Sequence, residues 1–277
     1  MPLFATFDRR NYRTVAPHEG YAQWAATYED TIKRDMDLWL LDQIQSVKWS
    51  AVQRCADLGC GTGRTAAWLA KKGVREIDGV DATPEMLDQA RKRDVFASLH
   101  VADVCATGLQ AANYDLIVTC LVDEHLTDLA PLYAEAARLA RRGAAYVLVG
   151  FHPFFIMATG MPTHFQAADG EPLAIETHVH LLSDHARAAL AAGWQLAELR
   201  EQVIDDRWVE TKAKWATYRD VPVSFAWVWR QIVFRNFCRL RQIAAVVCCQ
   251  AMVNFHQPTS AETIAKLRRA AASVFRR

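Results

Sequence analysis

Between residues 54 and about 151, short apolar runs alternate with segments of helical spacing. The runs Arg54–Leu58, Ile77–Asp81, Asp115–Cys120 and Ala145–Phe151 have the composition of buried strands, and the segments between them predict helices. Strand and helix in regular alternation favour parallel strands joined by helical crossovers. We therefore expect an α/β fold with a doubly wound, mostly parallel sheet.

Further segments flank this region. Residues 19–47 carry apolar groups at helical spacing and predict two N-terminal cap helices. The segments Trp194–Ile204 and Val221–Arg230 predict two more strands, since they are rich in aromatic and β-branched residues. We expect one domain over 1–230, followed by a basic helical tail over 231–277.

An apolar insertion of about 152–180 lies between two of the predicted strands. It contains FHPFFIMATGMPTHF, which is unusually apolar and aromatic for an exposed loop. Ligand crevices of open α/β sheets form at the C-terminal ends of the strands. We interpret the insertion as a cover over the substrate, with a hydrophobic plug or a dimer contact as the alternatives.

A glycine-rich turn with the sequence DLGCGTG occupies residues 57–63. Its glycines permit positive φ and let a ligand approach the backbone closely. Asp81 ends the next apolar run, where nucleotide-binding folds place an acid against ribose hydroxyls. A carboxylate at Asp57 repels phosphate and suits a ligand with an ammonium and a sulfonium. S-adenosylmethionine is such a ligand.

These residues resemble the class I S-adenosylmethionine-dependent methyltransferases. DLGCGTG is similar to the first motif of that family, GVDATPEMLDQAR to its second, and YDLIVTCLVDEHLTDL to its fourth. The acid of its third motif corresponds to Asp103. The similarity extends from about Tyr21 to Trp229, and it implies a Rossmann-like sheet of seven strands whose last two form an antiparallel hairpin.

The resemblance also implies a set of cofactor contacts. Asp57 is expected near the ammonium of the cofactor and Asp81 at its ribose hydroxyls. The adenine is expected beside Asp103 and the residues after Asp81, and the methionyl part beside Leu121. At Cys60 the turn needs only a small residue. The complete cofactor-binding set is Asp57, Gly59, Cys60, Gly61, Asp81, Ala82, Met86, Asp103, Val104 and Leu121.

Three aromatic residues are candidates for contact with the substrate. Tyr21 and Tyr28 share one face of the first predicted helix and resemble an aromatic pair that caps the cofactor mouth in the family. An aromatic stripe that packs on the sheet is the alternative for both. Phe155 belongs to the apolar insertion.

Methyl transfer depends mainly on positioning two bound partners, and a base is needed only where the acceptor holds its proton. The candidate bases are His125, His152 and His164. His125 follows the fourth predicted strand, and the alternative for it is local packing.

His178 and His180 would share a face of an extended segment, but a zinc site needs further ligands, so we expect no metal.

Composition indicates an ordinary soluble chain. Of its 277 residues 52% are hydrophobic and 23% are charged, and its seven cysteines include no CxxC pair. Neither an apolar secretory segment near the N-terminus nor an apolar run of the ~18 residues that a membrane span requires is evident, so we expect a cytoplasmic protein.

The charge is distributed unevenly. Residues 230–277 hold nine Lys or Arg and one Glu, a net +8, so the rest of the chain is at −7. A mildly acidic main domain argues against a nucleic-acid-binding face. The basic tail is compatible with dimerisation or a lid, with a helix on a membrane surface, or with no role.

The sequence therefore predicts an enzyme that transfers a methyl group from S-adenosylmethionine to an O or N nucleophile of a small molecule. One alternative is a C-methyltransferase of a quinone-like or lipid acceptor, and another is an inactive cofactor-binding interaction protein. A nicotinamide dehydrogenase is disfavoured by Asp57. Neither nucleic acid nor a membrane span is expected, and a homodimer is possible.

Overall fold

The computed structural model describes residues 2–32, 36–211 and 213–231, to which every structural statement below refers. The strands are β1 (Arg13–Val15), β2 (Arg54–Leu58), β3 (Glu76–Asp81), β4 (Ser98–Val101), β5 (Tyr114–Cys120), β6 (Ala140–Phe151), β7 (His164–Gln166), β8 (Pro172–Ile175), β9 (Trp194–Val203) and β10 (Pro222–Gln231). The helices are α1 (Pro17–Trp24), α2 (Tyr28–Thr31), α3 (Met36–Gln43), α4 (Arg64–Lys71), α5 (Pro84–Arg91), α6 (Ala130–Leu139), α7 (Pro153–Thr159), α8 (Leu182–Ala191) and α9 (Asp206–Thr211).

A seven-stranded sheet in the order β4-β3-β2-β5-β6-β10-β9 forms the centre of the fold. The strands from β4 to β6 are parallel, while β10 runs antiparallel to both β6 and β9. This arrangement confirms the predicted seven-stranded, mostly parallel, Rossmann-like sheet.

Alternate residues of the central strand β6 pack into two different apolar layers. Tyr146 and Leu148 belong to a cluster with residues of α6 and α8, whereas Val147 and Val149 belong to a cluster with residues of α3 and α4. Successive side chains of a strand point to opposite faces, so helices cover both faces of the sheet. Burial on both faces explains why these strands are continuous apolar runs in the sequence.

A second, three-stranded sheet of order β1-β8-β7 was not predicted. The insertion forms the helix α7 and then the antiparallel pair β7 and β8, and β8 pairs in parallel with β1 near the N-terminus. Val15, Trp24, Phe165 and Ile175 form a small apolar core between the two segments. The insertion and the N-terminal segment therefore form one cover, which we call the cap.

The N-terminal region has three helices instead of the predicted two. A turn separates α1 from α2, with Trp24 donating a hydrogen bond from its ring to Thr31 at 2.8 Å. Apart from Gln231, the predicted tail over 231–277 lies outside the described residues, and the domain limits stay a prediction. In the described part of the chain, no helix is both long and apolar enough to span a membrane.

Candidate active site

A cavity of about 310 Å³ opens where β2, β3 and β5 end, between the sheet and the cap. The C-terminal ends of parallel strands meet at one edge, so residues far apart in sequence converge there. Nearly all of the predicted cofactor-binding residues line it, namely Gly59, Cys60, Gly61, Asp81, Ala82, Met86, Asp103, Val104 and Leu121. Asp57 does not line it. We call this space the first cavity.

The glycine-rich turn is fixed by backbone hydrogen bonds and by close packing. The amides of Gly59 and Cys60 both donate to the carbonyl of Val80, at 2.7 and 3.0 Å. Gly59 has a φ of +74°, and a Cβ there would lie 2.3 Å from the Cγ2 of Val122. Only glycine fits this position, since a side chain would meet both strain and a steric clash.

Asp81 is held at the mouth of the first cavity by two backbone amides. Gly61 donates to one carboxylate oxygen at 2.8 Å, and Thr83 donates to the other at 2.9 Å. Burial raises the pKa of Asp81 despite these bonds. Each carboxylate oxygen accepts about two hydrogen bonds, so the group retains capacity for a pair of hydroxyls.

Asp57 lies within β2, just before the turn, and is fully buried. Neither of its carboxylate oxygens has a hydrogen-bond partner in the described residues. Burial, with the neighbouring charges of Asp81 and Asp37, raises its pKa to about 8. A cation beside the turn would stabilise the ionised carboxylate, so this orphaned acid fits a positively charged cofactor.

A second cavity of about 180 Å³ lies under the insertion. It shares Tyr21, Tyr28 and Leu121 with the first cavity, and its walls are mostly aromatic and aliphatic. The three predicted substrate residues line it, together with His164. Its complete lining is Tyr21, Trp24, Tyr28, Ile32, Leu121, Glu124, Phe151, Phe155, Ile156, Met161, Pro162, Thr163 and His164.

The backbone of Leu121, which lines both cavities, is left-handed with a φ of +59°. Such a conformation is uncommon for a non-glycine residue and costs about 1–3 kcal/mol. The amide of Leu121 donates to the carbonyl of Val149 at 2.8 Å, which holds the strained residue at the end of β5. Strain of this kind is concentrated at ligand sites.

His125 lines the first cavity and contacts Tyr21, which lines both cavities. Its Nδ1 is 2.8 Å from the carbonyl of Glu176, so this nitrogen carries the proton and donates. The Nε2 is therefore the acceptor for the hydroxyl of Tyr21, at 2.9 Å. Burial lowers the pKa of His125, which keeps the ring neutral near pH 7.

Glu124 is a site residue that the sequence analysis missed. It is buried, lines the second cavity, and accepts a hydrogen bond on Oε1 from the hydroxyl of Thr163 at 2.6 Å. The same Oε1 lies 3.4 Å from the Nε2 of His125. Burial raises the pKa of Glu124 to about 8. Its only signal in the sequence was its place next to His125.

Of the other two candidate bases, His164 and His152, only His164 lines a cavity. His164 lines the second cavity, and its Nδ1 donates to the carbonyl of Pro162 at 2.8 Å. His152 lines neither cavity. Its Nδ1 accepts from the amide of Phe154 as the N-cap of α7, and its Nε2 lies 2.9 Å from Glu201. His152 thus has a structural place at the start of a helix.

Polar contacts tie the cap to the glycine-rich turn. Glu29 in α2 accepts a hydrogen bond from the hydroxyl of Thr62 and pairs with Arg93 at 2.9 Å. Asp37 in α3 pairs with Arg64 at 3.3 Å. Because these contacts join segments distant in sequence, the spacing of residues along the chain did not predict them.

Within the described ranges, no group of three or more His, Cys, Asp or Glu side chains is placed to hold a metal ion.

Comparison with known proteins agrees with this geometry. A family model described as "Methyltransferase domain" matches residues 56–148. The chain is 32% identical over 94 residues to a ribosomal protein L11 methyltransferase of Thiobacillus denitrificans, a match that covers 34% of this chain and only 31% of that relative. It is 29% identical over 170 residues to a malonyl-[acyl-carrier protein] O-methyltransferase of Serratia marcescens, covering 59% of this chain and 62% of that one.

The solved structures show the same fold. An S-adenosylmethionine-dependent methyltransferase of Mesorhizobium loti superposes with a TM-score of 0.56 at 20% identity, and the match covers 77% of this chain and 99% of that one. The matched family model, the ordered motifs and this fold agree with each other. Residues 56–148 therefore form a methyltransferase domain, and the chain has the fold of the class I S-adenosylmethionine-dependent methyltransferases.

Proposed function

We propose that this chain transfers a methyl group from S-adenosylmethionine to an oxygen or nitrogen nucleophile of a small molecule. The observation that carries the proposal is the pair of adjoining cavities. The first is lined by the residues of the family motifs, and the second is apolar and adjoins it, with Tyr21, Tyr28 and Leu121 lining both. Two sites that meet at one point suit a reaction that joins two bound partners.

The first cavity is the proposed cofactor site. Asp81 is suited to the ribose hydroxyls, since both of its oxygens are already oriented by backbone amides. Asp57, once ionised by a cation beside the turn, would supply negative charge behind it, while Met86 and Val104 provide apolar surface for the adenine. When bound, S-adenosylmethionine supplies a methyl group on a positively charged sulfur.

The second cavity is the proposed acceptor site, with a hydrogen-bond acceptor at its junction with the first. The Nε2 of His125 accepts a hydrogen bond from the Tyr21 hydroxyl, which leaves the lone pairs of the Tyr21 oxygen directed to an O–H or N–H group of the acceptor. Burial raises the pKa of Tyr21 well above its usual range and lowers that of His125, so both side chains stay neutral and this contact orients the acceptor. His152 has no part in it, because it lines neither cavity.

Polar groups at the junction favour an oxygen or nitrogen acceptor over carbon. Glu124, His125 and Tyr21 together supply acceptors for a proton on a heteroatom. The malonyl-[acyl-carrier protein] O-methyltransferase named above also acts, by its name, at oxygen. An inactive binding protein would need no second cavity.

The test is a calorimetric titration of S-adenosylhomocysteine into the wild type and Asp81→Asn. We expect saturable binding to the wild type and at least a tenfold loss of affinity in the variant, since hydrogen bonds to a charged group contribute roughly 1.5–3 kcal/mol each. The matched control is Asp88→Asn, an exposed acid on α5 outside the cavity. It should bind as the wild type does.

A titration of NAD serves as the second control. No binding of S-adenosylhomocysteine to the wild type, or tighter binding of NAD, would contradict the proposed cofactor site. Equal affinity in Asp81→Asn and the wild type would remove Asp81 from the site. Thermal melting of each variant separates loss of binding from loss of the fold.

A further inference from the structure

We propose that the second cavity selects small, largely apolar amines and that Glu124 binds their ammonium group. This inference rests on the proposed function, because it takes the second cavity as the acceptor site. Glu124 is the single acidic side chain among the described residues that line this cavity. It deepens the proposal from any O or N nucleophile to one chemical class.

The two carboxyl oxygens of Glu124 differ in their hydrogen bonding. Its Oε1 accepts a hydrogen bond from the hydroxyl of Thr163, while its Oε2, which accepts from no group in the described part of the chain, is not completely enclosed and retains some exposed surface. A buried carboxylate is unfavourable unless it is paired. An ammonium group supplies both a positive charge and a hydrogen-bond donor, so it is the natural complement of Oε2.

Aromatic rings of the cap surround the same space. The ring centroid of Trp24 lies 4.9 Å from that of Tyr28, which is 6.2 Å from Tyr21. Phe155, which belongs to the insertion, also lines the cavity. Aromatic rings attract cations placed over their faces. The walls therefore favour an ammonium with an apolar body, and the ionised form of Glu124, present above about pH 8, repels an anion.

The volume of the cavity limits the acceptor to one ring or a short chain. A cavity of roughly 150 Å³ holds a benzene molecule. The second cavity, at about 180 Å³, has room for a ring of that size and a few more atoms. An arylalkylamine such as 2-phenylethylamine matches this size and carries its charge at one end.

An ammonium nitrogen must lose a proton before it can act as a nucleophile. Transfer of that proton to Oε2 breaks one N–H bond, forms one O–H bond and leaves the lone pair on nitrogen. Burial raises the pKa of Glu124 to about 8 before an ammonium is bound, so binding of an ammonium releases one proton from the carboxyl, and the paired carboxylate is then basic enough to take up a proton of the ammonium. The Nε2 of His125 lies 3.4 Å from Oε1 and already accepts the Tyr21 hydroxyl, so the proton goes to Glu124.

The experiment measures binding to the full chain saturated with S-adenosylhomocysteine. Three probes of similar shape are titrated by calorimetry: 2-phenylethylamine, the neutral 2-phenylethanol and the anionic 3-phenylpropanoate. We expect the amine to bind at least tenfold more tightly than the alcohol, and the anion not to bind. In Glu124→Gln the amine should lose at least tenfold in affinity, while the alcohol should be unchanged.

The matched control is Glu171→Gln, an exposed carboxyl of the cap, which should keep the wild-type affinities. Equal binding of amine and alcohol to the wild type, no binding of any probe, or full retention of amine binding by Glu124→Gln would overturn the inference. If Glu124→Gln does not fold, the affinities of the three probes for the wild type still test the inference. Failure of the proposed function is recognised separately, because S-adenosylhomocysteine itself would then not bind.

Discussion

The buried acid Asp57 gives a prediction about stability that needs no substrate. Its carboxylate has no hydrogen-bond partner in the described residues, and its pKa rises from an ordinary 3.8 to about 8 mainly through burial. The unfolded chain ionises this group near pH 4, whereas the folded protein keeps it protonated until about pH 8. Folding therefore takes up one proton between these values, and stability falls as the pH rises.

The size of the effect follows from the two pKa values. Each pKa unit corresponds to about 1.36 kcal/mol, so the ionised carboxylate costs up to about 6 kcal/mol above pH 8. Between pH 6 and pH 8 the cost grows by about 2.5 kcal/mol. For a chain of this length that corresponds to roughly 5–10 °C in melting temperature. Asp57→Asn cannot ionise, so it should lack this dependence.

The assay compares the free energy of unfolding of the wild type and Asp57→Asn at pH 6 and pH 8, without cofactor. We expect the variant to gain about 2.5 kcal/mol relative to the wild type over this range. Asp88→Asn, at an exposed position, is the control for a change of net charge. Parallel curves for the wild type and Asp57→Asn would refute the reasoning, since they would mean that Asp57 is already ionised in the fold.

Two further predictions concern the turn and the cap. Gly59→Ala should abolish binding of S-adenosylhomocysteine in a calorimetric titration, because its Cβ would lie 2.3 Å from Val122. The control is Gly170→Ala, which has a similar positive φ and no neighbour within 4 Å and should bind normally. Normal binding by both variants would contradict the packing argument. Glu29→Gln should speed release of S-adenosylhomocysteine up to about fivefold in stopped-flow measurements, since exposed ion pairs such as that with Arg93 contribute up to about 1 kcal/mol. An unchanged release rate would show that this contact does not hold the cap.

That most of the proposed cofactor residues line one cavity was predictable from the sequence, because these residues belong to local elements. The turn over 57–63 joins a strand directly to a helix, and Asp81 ends the neighbouring strand. Parallel strands bring their C-terminal ends to one edge, so the alternation of elements was enough to place these residues together. The same alternation predicted the seven-stranded sheet.

The acceptor side depended on contacts that no local pattern encodes. Tyr21 meets His125 across 104 residues of chain, and Glu124 meets Thr163 across 39. His152 illustrates the difficulty, since a histidine at the start of a helix looks in sequence like one beside a cavity. Its N-cap hydrogen bond to Phe154 became visible only in the structure.

The sequence by itself determined the sheet, the glycine-rich turn and the acids that follow the strands. Hydrophobic periodicity and glycine placement act over a few residues, so they can be seen directly along the chain. Only the tertiary structure decided that β1 pairs with β8, that the cap encloses a second cavity, and that Glu124 is buried within it. Those features depend on which distant surfaces pack together, and packing is decided by the whole fold.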